Sequence, residues 1–118
     1  MAKHIITTEP REIKDGFLVL PINFTHKGFI YKQIKRQNYT VIYQKYKEND
    51  KNKEHFEVVY IFRHPKREIA GVEIEAKEAM PSDEQWGTYG FSYSNLNDAM
   101  KKFDELVEKE ENQKNEAP

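Results

Sequence analysis

The 118 residues carry a formal net charge of −1, 33% charged side chains, 37% hydrophobic ones and no cysteine. That is one domain's length, enough to bury a core without disulfides or metal, and the missing cysteine excludes disulfides, thiolate nucleophiles and thiolate-bound zinc. No apolar run approaches the ~18 residues of a membrane span.

Glu9-Pro10-Arg11-Glu12 interrupts any signal-peptide core after Lys3 and His4, so a cytoplasmic protein with no membrane association is expected. Ten Ile, seven Phe, seven Tyr and six Val stand against four Leu, a β-biased choice of hydrophobes.

Residues 1–27 read as an N-terminal arm or edge hairpin. Ile5–Thr8 suits a short strand, Asp15-Gly16 a turn, and Phe17–Leu20 an apolar run closed by Pro21. Residues 28–109 then read as a sheet with a C-terminal helix. Strands are expected over 28–37 and 39–47, joined by a tight turn at Asn38 into an antiparallel hairpin. Period two puts Ile30, Lys32, Ile34 and Arg36 on one face of the first strand, and Phe29, Tyr31, Gln33 and Lys35 on the other.

Residues 48–54 lack any apolar side chain and read as an exposed loop. A third strand is expected over 55–64. Residues 69–80 fit a short strand, or a covering loop with a helical turn at 76–80. Residues 86–93 read as an aromatic strand, in which Gly87 and Gly90 mark a bulge or a close approach. Asn95 can cap the helix that follows, with Asp98 reaching back. Leu96, Ala99, Met100, Phe103, Leu106 and Val107 form one apolar stripe along a helix from Leu96 to about Glu108. Residues 110–118 are polar, aperiodic and acidic, and read as a disordered tail.

The fold class is therefore α+β: an antiparallel meander of three or four strands, five at most, with one C-terminal helix packed on one face. Gly28-Phe29-Ile30-Tyr31, Phe56-Glu57-Val58-Val59, Met80-Pro81-Ser82 and the Trp86–Phe103 pattern resemble small uncharacterised proteins of bacteriophages and bacterial mobile elements. The resemblance covers roughly residues 28–106. It implies an accessory protein in the cytosol of an infected bacterium and carries no catalytic residues. The order of strands then helix is also similar to Whirly and coactivator-type single-stranded-DNA binders, an analogy of fold alone.

Charge is unevenly placed. Residues 27–67 hold eleven basic and four acidic side chains, and residues 68–118 hold five and thirteen. His4, His26, His55 and His64 lack the spacing of a metal site, which needs three or four converging ligands. Glu73, Glu75 and Glu78 could gather on one face, yet glycosidase-type chemistry needs a cleft between two carboxylates. No cofactor, metal or enzymatic activity is expected.

The candidate binding residues are Tyr31, Lys32, Lys35, Arg36, Tyr39, Tyr43 and Lys45 on the first hairpin, and Arg63, Lys66 and Arg67 beyond the third strand. The first expectation is a host or viral protein, or a second copy of the chain, bound through the sheet surface. The alternative is single-stranded DNA or RNA, with cations tracking phosphates and tyrosine rings stacking on bases. Against both stands the possibility that the basic and acidic parts neutralise each other across the fold.

Overall fold

The computed structural model describes residues 6–116, with the side chains of 51–53 and 114–116 left aside. The backbone turns wherever the chain supplies left-handed residues. Asp15-Gly16, Lys27-Gly28 and Ala70-Gly71 each have two successive positive φ angles, the geometry that two-residue hairpin turns require. Three hairpins follow: β1 (Ile13–Lys14) with β2 (Phe17–Leu18), β3 (Asn23–His26) with β4 (Phe29–Gln37), and β8 (Arg67–Ile69) with β9 (Val72–Ile74).

The central sheet has five antiparallel strands. It runs β3, β4, β5 (Thr40–Lys47), β6 (Asp50–Tyr60) as a meander, and β11 (Gly90–Tyr93) adds beside β6. A second sheet joins β1, β2, β10 (Lys77–Ala79) and β7 (Phe62–His64), with β2 and β10 parallel. The helix α1 spans Leu96–Glu116. An α+β chain, mostly antiparallel with one C-terminal helix, is thus what the sequence predicts. The eleven strands in three sheets among the described residues exceed the three to five expected.

The extra strands come from stretches whose composition hides them. The loop expected at 48–54 is largely strand, because β6 begins at Asp50 and pairs its backbone with β5. Backbone pairing needs no apolar side chain. The strand expected at 55–64 breaks at Ile61, and Phe62–His64 leaves for the second sheet. Residues 69–80 form one strand of the β8–β9 hairpin and the strand β10, with no helical turn. The aromatic segment is strand only from Gly90, preceded by a 3-10 turn at Asp83–Gln85.

Both faces of the central sheet are covered, each for its own reason. On one face Phe24, Tyr31, Val41, Tyr43 and Val59 pack with Leu20 and Met80, supplied by the arm and by the end of β10. On the other, Ile42, Phe56 and Val58 pack with Ala99 and Phe103 of α1. Asn95 caps the helix, its Oδ1 accepting from the Asp98 N–H at 2.8 Å. Asp98 reaches back to the Asn95 amide rather than to its backbone. The helix continues to Glu116, so the tail expected from 110 is helical there: Glu110 is buried and Glu111 accepts from the Asn38 side chain. Residues 117–118 lie outside the described residues, as does Ile5. Ile6 pairs with Thr25 in a single bridge at the outer edge of β3.

Candidate functional site

The first hairpin carries a step in register at Ile34: Gln33 pairs with Tyr43, yet Lys35 pairs with Ile42. One residue is left over, as in a β-bulge. Beyond it the faces exchange. Lys35 turns to the helix side, where its Nζ lies 5.0 Å from the Phe103 ring centroid. Arg36 turns to the arm side. The strict alternation expected for this strand fails at that point, and its consequence is a cluster built around one buried carboxylate.

That carboxylate is Glu78 on β10, whose side chain is fully buried. Arg36 grips it with both prongs, Nη1 to Oε1 at 2.7 Å and Nη2 to Oε2 at 2.8 Å. Arg63 donates Nε to Oε2 at 3.2 Å, and the Leu20 N–H donates to Oε1 at 3.1 Å. Burial alone would raise the pKa of this group. The Arg36 hydrogen bonds and charge, the Leu20 N–H and Arg63 outweigh it and hold the carboxyl below the usual range. Arg63 lies 5.0 Å from the ring centroids of both Phe17 and Tyr39, and its Nη1 donates to Asp15 at 3.3 Å. Arg36 also donates Nε to the Asn38 carbonyl at 3.0 Å. Over this cluster opens a cleft of about 600 Å³, walled by residues 9–12, Lys14, Asp15 and Val19–Ile22.

The ten candidate residues thus separate into five groups. Arg36, Arg63 and Tyr39 meet at the Glu78 cluster. Tyr31 and Tyr43 are core residues, 1% and 0% exposed, and correct the expectation that they stack on a ligand. Tyr31 lies parallel to Phe24 at 4.6 Å, and the Tyr43 hydroxyl donates to the Pro21 carbonyl at 2.7 Å. Both phenols are shifted upward by burial, Tyr31 further by Glu57. Lys45 pairs with the buried Glu57 at 3.3 Å and sits 4.4 Å from the Phe29 ring centroid. Lys32 and Lys35 are exposed on the helix side, and Lys66, paired with Glu73, and Arg67 are exposed at the β8–β9 hairpin.

The basic and acidic parts of the chain therefore do meet, at Arg36–Glu78, Arg63–Glu78 and Lys66–Glu73. Sequence reasoning missed Glu78 as a hub, and the arm as a wall. The one available signal was a lone carboxylate directly before the apolar Ala79-Met80-Pro81.

On the helix side, α1 packs on β5, β6 and β11. The strip formed by β3 and β4 lies beyond it and exposes Asn23, Thr25, Lys32 and Lys35. Lys32 Nζ hovers 5.8 Å from the ring centroid of Tyr46. Among the described residues no group of three or more His, Asp or Glu could hold a metal ion. No helix among them is long and apolar enough to cross a membrane. No family model, no curated protein and no solved structure matches the chain.

Proposed function

We propose that the chain is a small non-enzymatic accessory protein of the phage type its sequence resembles, acting by binding a host or viral protein. The docking surface is the β3–β4 strip on the helix side. The observation that carries this reading is the placement of α1 on β5, β6 and β11, which leaves that strip exposed beside a covered sheet. Lys32 and Lys35 give the strip its charge, so the partner presents acidic groups to it. Of the titratable groups that converge elsewhere, the carboxylate Glu78 is fully taken up by donors from Arg36, Arg63 and Leu20, which favours a binding role over catalysis.

Protein rather than single-stranded nucleic acid is favoured because Tyr31 and Tyr43 offer no ring face, and because the carboxylate of Glu78 balances much of the Arg36 and Arg63 charge. The test pairs two measurements. Tagged protein should retain one partner at 1:1 with the purified components, and a labelled oligonucleotide should show no salt-sensitive mobility shift. A shift at low salt lost on Lys35→Glu would transfer the reading to nucleic acid. A sizing experiment giving a stable homodimer would make the second copy the partner.

A further inference from the structure

The cleft over Glu78 is not used by the β3–β4 strip, which lies on the other side of the sheet. Arg36 and Arg63 line the cleft, and the buried carboxylate they share, Glu78, is not itself part of the lining. A guanidinium carries more N–H donors than Arg36 and Arg63 spend on Glu78, Asn38 and Asp15, so both keep donors uncommitted. Their side chains are 20% and 18% exposed, and both line the cleft. The two-pronged grip on Glu78 fixes the plane of Arg36, and the Phe17 and Tyr39 rings flank Arg63. The forks are thus held in place before any ligand arrives.

On the open side three carboxylate residues line the cleft, Glu9, Glu12 and Asp15, and Asp15 is the one that reaches Arg63. Asp15 accepts from Arg63 Nη1 at 3.3 Å, yet its own side chain is 64% exposed. It stands on the two-residue turn of the β1–β2 hairpin, with φ 56°. Such an exposed pair is weak. Val19 and the exposed Ile22 give the cleft an apolar margin beside this charge.

We propose that the cleft binds an organic carboxylate on a small apolar body. The ligand carboxylate bridges the free donors of Arg36 and Arg63, its body lies along Val19 and Ile22, and Asp15 is the internal stand-in that it displaces. A free small acid and a peptide C-terminus share this chemistry.

The experiment follows the Arg36 and Arg63 Nε–H resonances of the full chain by NMR. The added ligands are benzoate, its neutral isostere benzamide, N-acetyl-leucyl-leucine and the amide of that dipeptide. Saturable shifts of both resonances with an acid and not with its amide are expected; which acid binds tells a free acid from a chain end. Asp15→Asn keeps a residue that tolerates the left-handed turn. It should tighten binding about two- to fivefold, the worth of one exposed pair. The proposal is overturned if benzamide shifts the resonances as benzoate does, if neither acid shifts them, or if Asp15→Asn binds no tighter. Loss of Lys32 and Lys35 should leave these titrations unchanged, so this site and the protein-binding strip fail independently.

Discussion

Arg36 and Glu78 form a two-pronged ion pair at 2.7 and 2.8 Å across 42 positions of the chain. The extra residue at Ile34 is what turns Arg36 to the face where Glu78 lies. Around this pair the arm, β4, β7 and β10 are tied together, and the arm-side core is closed.

Replacing the carboxylate should expose how much depends on it. Glu78→Gln leaves two guanidiniums facing a neutral group and should cost about 2–4 kcal/mol in chemical denaturation. That is below the figure for a wholly buried pair, since both arginines keep some solvent. A loss under about 0.5 kcal/mol would mean that the cluster is held by packing alone.

The same group sets an acid limit. Its pKa is lowered in the folded state, so its contribution is complete above the unfolded value, about 4.3, and is lost as pH falls through the folded value. Wild-type stability should therefore drop below about pH 4.3, and Glu78→Gln should flatten that part of the profile. Parallel acid profiles for the two proteins would contradict the linkage.

Deleting Ile34 tests the register step. Because the bulge residue is the one without a partner, its removal keeps Lys35 and Arg36 on their present faces. The deletion should retain a cooperative fold and the acid profile that Glu78 gives, at a cost of about 1–2 kcal/mol. Were β4 regular, the deletion would swing Arg36 away from Glu78 and abolish that profile.

Gly90 lies under the ring of Trp86, where an added Cβ would overlap Cε3. Gly90→Ala should cost about 1–3 kcal/mol by overpacking and shift the emission of the single tryptophan. Unchanged emission and stability would mean that the ring does not rest there.

Tyr31 and Tyr43 should stay protonated where exposed tyrosines ionise. In the folded state their pKa values are raised, chiefly by burial. The stability they contribute is full below the unfolded value, about 10, and is lost as pH rises above it. An ultraviolet titration should show part of the tyrosine signal appearing only with alkaline unfolding. A single smooth titration of all seven tyrosines would contradict their burial.

The helix was legible because its signals are local: an Asn95 cap and an apolar stripe through Phe103. The hairpin around Asn38 was legible for the same reason, a tight turn between β-branched runs. What escaped depended on distant partners. The face of Arg36 changed through a bulge that no side-chain type announces, since Ile34 fits either face. Tyr31 and Tyr43 looked available because alternation alone does not say which face is covered; Leu20, Pro21 and Met80 supply that cover from remote stretches. The extension of α1 past Glu108 runs through a polar stretch whose sequence is aperiodic, where Glu111 finds its partner in the distant Asn38.

The most direct test of the functional account compares two charge-reversed proteins for the same purified partner. Lys32→Glu/Lys35→Glu changes the open strip, and Lys66→Glu/Arg67→Glu changes another exposed basic pair, at the β8–β9 hairpin. The account predicts that calorimetric binding is lost at least tenfold (about 1.4 kcal/mol) in the first protein and kept within about twofold in the second. Equal loss in both, or loss only in the second, would contradict docking on the β3–β4 strip.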